Sequence, residues 1–270
     1  MLLVFCYCSN NKNDRYLQQN IKPSFSKDSS TLTTTSKEAP VYKVKVIRTI
    51  PHDTLSFTQG LFFHNGFLYE STGQYEKSSL RKINPINGEV IQKISIEPEY
   101  FGEGIALHKG KIYMLTWQNN TCLVFDLSTF KKEREIQYAG EGWGITNYDS
   151  FTLVQSDGTN ILKVVDPTNF TILNTIPVFY ETSPISNLNE LENIEDDIWA
   201  NIWMKDTIVV IDKKTGKVKY FVDVSSLRKY LSESANVDVI NGIAYDTKSK
   251  RIYLTGKDWP YIFEVEIVYN

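Results

Sequence analysis

Cysteine is nearly absent: three of 270 residues are Cys, and two of them, Cys6 and Cys8, fall within the first eight positions. The lone Cys122 farther along leaves no disulfide, no thiol pair for redox chemistry and no thiolate set for zinc. Histidine is as scarce, and His52, His64 and His108 lack the spacing of metal ligands. An excess of one charge is missing too. With 29 basic and 32 acidic residues the formal charge is −3, which draws no polyanion, so nucleic acid is not an expected partner. The mixed run Lys131–Glu135 reads as a solvated outer strand. Helical periodicity is confined to Ser225–Ser232, where Leu227 and Leu231 stand four apart.

What the chain does contain is one short phrase written five times: Gln59-Gly60-Leu61, Glu103-Gly104-Ile105, Trp143-Gly144-Ile145, Asn189-Glu190-Leu191 and Asn241-Gly242-Ile243. Their second positions are separated by 44, 40, 46 and 52 residues, close to the period of about 40–50 that marks four-stranded propeller blades. Each phrase leads into an apolar stretch broken by a polar turn, as in Phe62 to Tyr69 or Ala106 to Tyr113, and a second hairpin follows. Two hairpins make a four-stranded blade. The last repeat supplies about three strands, while Tyr42–Ile50 is a spare strand ahead of the first phrase. The expected fold is therefore all-β, a five-bladed β-propeller over residues 41–270 whose N-terminal strand closes the last blade and removes an open sheet edge.

Residues 1–8, Met-Leu-Leu-Val-Phe-Cys-Tyr-Cys, are apolar, far short of the roughly 20 residues that cross a bilayer as a helix. A Ser-, Thr-, Asn- and Lys-rich stretch occupies 9–40. The two read as the remnant of an export signal and a flexible tether. Cys6 or Cys8 would carry the lipid if this is a bacterial lipoprotein, so a periplasmic or membrane-anchored location is expected rather than a cytoplasmic one. A closed ring leaves no obligatory edge, and a monomer is expected.

Five-fold pseudosymmetry should gather Gln59, Glu103, Trp143, Asn189 and Asn241 around one end of the central channel. A neighbouring layer is expected from Thr72, Thr116 and Ser156, from Gly73, Trp117 and Asp157, from Trp203, and from Gly256, Lys257 and Trp259. Three tryptophans, Trp117, Trp143 and Trp203, then wall a small-molecule pocket with a few convergent polar groups. Glu103, set between Gly102 and Gly104, faces that pocket, where desolvation raises a carboxyl pKa and suits it to proton exchange near neutrality.

Nine motifs carry a family resemblance: Phe57-Thr58-Gln59-Gly60-Leu61, Glu70-Ser71-Thr72-Gly73, Phe101-Gly102-Glu103-Gly104, Leu115-Thr116-Trp117, Gly140-Glu141-Gly142-Trp143-Gly144, Ser156-Asp157-Gly158, Asn189-Glu190-Leu191-Glu192, Asn241-Gly242-Ile243-Ala244 and Gly256-Lys257-Asp258-Trp259-Pro260. In order, across residues 42–268, they resemble the motifs of plant-type glutaminyl-peptide cyclotransferases of plants and bacteria. The resemblance implies a five-bladed propeller that converts the N-terminal glutamine of peptides and proteins to pyroglutamate with release of ammonia, without a metal or other cofactor. It implies Glu103 as the general acid/base, with Phe57, Gln59, Phe101, Trp117, Trp143, Asn189, Trp203 and Lys257 lining the substrate pocket. Two departures stand out: Glu76 where a Gly is expected, and Asn193-Ile194 after Glu192 where a Trp is expected.

Two rival readings remain open at the level of sequence. One is a calcium-dependent lactone hydrolase with Glu103, Asn189 and Asn241 as ligands. The other is a propeller that binds a ligand and catalyses nothing.

Overall fold

Each repeat folds back on itself because its turns are built for it. Asn65 and Gly66 have φ of 48° and 83°, and Lys109 and Gly110 have 47° and 76°, the paired left-handed residues of a two-residue hairpin whose twist matches the strands it joins. Three of the second hairpins turn on aspartate, at Asp126, Asp166 and Asp212. Asp126 Oδ1 accepts from the backbone N–H groups of Ser128 and Thr129, and Asp212 Oδ1 from those of Lys214 and Thr215, local bonds that stand in for a backbone turn.

This computed structural model describes residues 39–231 and 237–269; the leader read at 1–8 and nearly all of the tether read at 9–40 lie outside them. The strands pair in five antiparallel sets of four. The first runs Thr58–His64, Phe67–Thr72, Ser79–Ile83, Val90–Ser95, and the second Gly102–His108, Lys111–Thr116, Thr121–Asp126, Lys132–Gln137. The third runs Ile145–Asn147, Leu153–Gln155, Ile161–Val165, Ile172–Pro177, and the fourth Leu188–Ile194, Asp197–Ile202, Thr207–Asp212, Val218–Asp223. The fifth has only Ile240–Asp246, Arg251–Gly256 and Tyr261–Val268 of its own. Val41–Pro51 completes it, pairing antiparallel with Tyr261–Val268 from Lys43 opposite Val268 to Pro51 opposite Tyr261. The start of the same strand, Val41 to Lys43, also runs parallel beside Phe221 to Asp223 of the fourth set. The innermost strands meet in cyclic order, first on second through fifth on first, so the sets form the closed ring of a propeller. Burial follows rank: Thr121–Asp126 is almost wholly buried, whereas the outermost Lys132–Gln137 is mostly exposed.

At the ring's inner edge the phrase glycines set the spacing. A Cβ on Gly60 would lie 2.5 Å from the Ile105 nitrogen, one on Gly104 2.6 Å from the Trp143 oxygen, and one on Gly144 2.0 Å from the Asn189 oxygen. No side chain fits between neighbouring strands there. The fourth phrase carries Glu190 instead of glycine, and its carboxylate accepts from Leu61 N of the first set at 3.2 Å and Ile243 N of the fifth at 2.9 Å. The next carboxylate along the strand, Glu192, accepts from Tyr245 N and Thr146 Oγ1. Burial raises both carboxyls, Glu192 to about 8. Both glutamates therefore fasten the ring from within.

Two local expectations are corrected. The helix expected over Ser225–Ser232 is a short 3-10 turn, Ser225–Tyr230, after which Leu231 is extended; only Leu227 is fully buried in it, and one apolar anchor does not sustain a longer helix. Glu76, standing where glycine was expected, keeps a left-handed φ of 65° and donates its N–H to Pro98 O. The turn survives without the glycine.

One substitution, glycine to alanine, should cost very different amounts at two places. Gly144→Ala must push apart two inner strands and is expected to lose about 3 kcal/mol, whereas Gly66→Ala, with nothing within 4 Å of the added Cβ, meets only the strain of its positive φ, about 1 kcal/mol. Urea unfolding of both variants checks the difference; equal losses would mean that the inner ring is not packed to contact.

Candidate active site

Where the innermost strands begin, side chains from all five sets surround one cavity of 320 Å³. Phe57, Gln59, Phe101, Glu103, Trp117, Trp143, Asn189, Trp203 and Lys257 all line it, together with Asp238. These are the nine residues assembled from the repeat phase and the family motifs, drawn from positions up to 200 residues apart. Ring closure brings them together.

The walls are aromatic and mutually braced. Phe101 stands edge-to-face with both Phe57, at 6.1 Å, and Trp117, at 5.6 Å, while Trp143 meets Trp203 at 5.7 Å and 79°. Gly73 makes room for this packing, since a Cβ there would lie 2.3 Å from the Phe101 ring. Trp203 forms the lip, with 41% of its surface exposed. Such edge-on ring pairs contribute about 0.5–1.5 kcal/mol each beyond their buried area, which keeps the walls standing when the cavity is empty.

The floor is polar. Glu103 is buried, and Gln59 Nε2 donates to its Oε1 at 3.1 Å. Gln59 Oε1 in turn accepts from Asn241 Nδ2 at 3.1 Å. Burial pushes the Glu103 carboxyl well above its ordinary value; Lys257 opposes that rise and Glu141 adds to it. Burial lowers the pKa of Lys257, against the pull of Glu103, Asp238 and Asp258, and its Nζ lies 4.7 Å from the centre of the Phe57 ring, within cation–π range. Asn189 offers an unclaimed group: its Oδ1 is buried and has no hydrogen-bond partner among the described residues. A buried acceptor left open costs about 1–3 kcal/mol, a cost that an N–H donor on a ligand would relieve.

Several expected neighbours are elsewhere. Asn241 does not line the cavity; it sits behind Gln59 and orients it. Asp157 faces Lys163 at 2.7 Å instead of the cavity. Trp259 is fully buried in the core against Gly256 and Phe263, with its Nε1 donating to Asp238 O, so it supports the cavity rim from below. Thr72 and Thr116 hold neighbouring strand ends, Thr72 through Ser79 and Thr116 through Thr121; Ser156 bonds Gly144 N and Asn189 O.

Two features were not foreseen. Asp238 lines the cavity although it lies three residues ahead of the fifth phrase, a place where Phe57 and Phe101, each two residues ahead of theirs, gave a hint. A buried polar knot also joins the first and fifth sets: His52 Nδ1 bonds Trp259 O at 2.8 Å and Nε2 bonds Glu70 at 2.8 Å, with Arg81 beside it. It ties the segment after Lys257 to the one before Phe57. Among the described residues no group of three or more His, Cys, Asp or Glu is arranged to hold a metal ion.

Three comparisons bear on this geometry. A family profile described as glutamine cyclotransferase matches residues 21–267. A glutaminyl-peptide cyclotransferase of Arabidopsis thaliana is 35% identical over 231 residues, covering 84% of this chain and 72% of that protein. The crystal structure of Myxococcus xanthus glutaminyl cyclase superposes with a TM-score of 0.80 at 34% identity, covering 85% of this chain and 98% of the other. The β-propeller domain of Cps50 from Myceliophteria thermophila, 8% identical with a TM-score of 0.50 over 83% of this chain and all of that one, shares the fold alone.

The raised Glu103 carboxyl should be visible directly. A carboxyl whose pKa stands well above 4.5 keeps its proton at pH 5.5, so an infrared difference spectrum of parent minus Glu103→Gln is expected to hold a protonated-carboxyl band at that pH, which fades as pH rises. A band absent at pH 5.5 would mean that Glu103 is ionised and solvated.

Proposed function

The chain belongs to the glutamine cyclotransferase family, and we propose that its cavity converts the N-terminal glutamine of peptides to pyroglutamate and ammonia, with Glu103 moving the protons and no metal taking part. The carrying observation is a single buried carboxyl, Glu103, in an aromatic cavity beside an acceptor, Asn189 Oδ1, that has no partner among the described residues.

The α-amine of an N-terminal glutamine and the γ-carboxamide it must attack are on the same residue. Orientation is thus the first task, and a closed aromatic box performs it by admitting the folded-back side chain and excluding water. The substrate enters mostly as an ammonium, since α-amino groups titrate at about 7.7–8.0. The ionised form of a carboxyl whose pKa is raised by burial binds a proton tightly, so Glu103 takes one from the ammonium and frees the lone pair. The nitrogen attacks the carboxamide carbon, a C–N bond forms, and negative charge gathers on the oxygen. Lys257 and the Asn189 amide N–H are the donors we assign to that oxygen. Gln59, already donating to Glu103, holds the carboxyl in place. Glu103 then passes its proton to the amide nitrogen, the old C–N bond breaks and ammonia leaves. The carboxylate then accepts the second proton on the ring nitrogen and hands it to the departing ammonia, which leaves as ammonium, so that Glu103 ends ionised as it began.

We also propose that the protein is a monomer, because a closed ring leaves no obligatory sheet edge, and that it is exported, either periplasmic or membrane-anchored through Cys6 or Cys8. The support for export is the sequence of residues 1–40, eight apolar residues followed by a polar stretch.

Ammonia release from a Gln-initiated dipeptide, measured with EDTA present, is expected from the parent and is expected to fall about 10²–10⁴-fold in Glu103→Gln with unchanged thermal unfolding. Near-parent turnover in the variant would remove Glu103 from the chemistry, and ammonia release restored only by calcium would contradict a reaction without a metal.

A further inference from the structure

The residue two places ahead of each phrase lies at the cavity end of the ring, and the first two of these are aromatic: Phe57 and Phe101. In the third repeat that place is taken by Glu141. Its Oε2 accepts from two indoles at once, Trp117 Nε1 at 2.9 Å and Trp143 Nε1 at 2.9 Å, while Oε1 accepts from Gln118 Nε2 at 3.2 Å. The two indoles belong to different parts of the ring. Trp117 follows the second strand of the second set and packs on Phe101; Trp143 opens the third set and packs on Trp203.

One carboxylate oxygen therefore joins the two aromatic walls of the cavity. Two donors at hydrogen-bond distance from the same atom leave their ring nitrogens only a few ångströms apart, so neither indole can swing without losing its bond or dragging the other. Hydrogen bonds to a charged acceptor are about twice as strong as neutral ones. A bare requirement to satisfy two indole N–H groups would be met by any backbone carbonyl or by water at this half-open rim. A single shared oxygen does something separate acceptors do not, because it couples the Phe101–Trp117 wall to the Trp143–Trp203 wall.

We propose that Glu141 is a positioning residue for the cyclisation: by holding Trp117 and Trp143 on one oxygen it fixes the gap between the walls and so selects the folded-back conformer of the N-terminal glutamine. The proposal rests on the cyclotransferase reading. It also assigns the specificity of the site to a distance: a side chain flat enough to lie between the walls with its carboxamide turned back is accepted, and wall spacing, not contact with Glu141, sets that limit. Glu141 itself is not among the residues that line the cavity.

The test compares the parent, Glu141→Ala and Glu141→Gln for ammonia release from a Gln-initiated dipeptide, with thermal unfolding and tryptophan near-UV circular dichroism on each. Loosened walls admit extended, unreactive conformers as readily as the folded one. Glu141→Ala is therefore expected to lower kcat at least about 10-fold with KM changed less than about 3-fold, and to weaken the tryptophan dichroism at unchanged unfolding temperature. Glu141→Gln keeps an oxygen that can accept both indole N–H groups and is expected to recover kcat to within about 3-fold of the parent. Parent-like kcat in Glu141→Ala, no rescue by Glu141→Gln, or a loss of activity that merely follows a fall in unfolding temperature would each overturn the positioning role. Should the parent itself release no ammonia, the cyclotransferase reading fails first and takes this inference with it; a parent that turns over with an indifferent Glu141→Ala fails this inference alone.

Discussion

Everything at the cavity depends on how closely the innermost strands approach one another. Gly60, Gly104 and Gly144 each bring a backbone into contact with the next strand, and the Gly104 N–H uses that contact to donate to Trp143 O at 2.7 Å. A ring packed this tightly has no room for side chains at the phrase glycines themselves. The residues immediately before them, Gln59, Glu103 and Trp143, are left facing the axis. Where the fourth phrase has Glu190 in place of glycine, its carboxylate reaches across to backbone N–H groups of the first and fifth sets. Steric contact on one arc and a buried carboxylate on the other close the same ring.

That closure also sets the electrostatics. Glu103, Glu190 and Glu192 are all raised by burial, yet their surroundings differ. Glu190 and Glu192 accept backbone N–H bonds from other sets and are spent on structure. Glu103 receives one bond, from a glutamine side chain, and otherwise faces the cavity with Lys257 nearby in charge if not in contact. A carboxyl with spare lone pairs in a dry aromatic cavity can exchange protons; one saturated by backbone donors serves as a brace.

The fold was legible because a repeat leaves its period in the sequence: the five phrases mark the five inner strands, and the spare strand at Tyr42–Ile50 is the one that pairs with Tyr261–Val268. The cavity lining was legible for the same reason, helped by the family motifs. Pseudosymmetry misled where a position keeps its place but turns its side chain elsewhere. Asn241 is bound to Gln59, and Trp259 is drawn into the core by the open face of Gly256. Partners set by folding alone were not legible. No spacing rule pairs His52 with Glu70, or brings Glu141 to two indoles that lie 24 and 2 residues away. Asp238 belongs to the same class, since nothing equivalent to it repeats.

What occupies the cavity decides what the protein does. A crystal structure of Glu103→Gln with a Gln-initiated tripeptide tests this directly. The terminal glutamine is expected between Trp117 and Trp143, its side chain turned back so that the α-nitrogen approaches the carboxamide carbon, with an N–H group on Asn189 Oδ1 and the rest of the peptide leaving past Trp203. A peptide bound away from the cavity, or one with its terminal side chain extended and its amine in solvent, would contradict it.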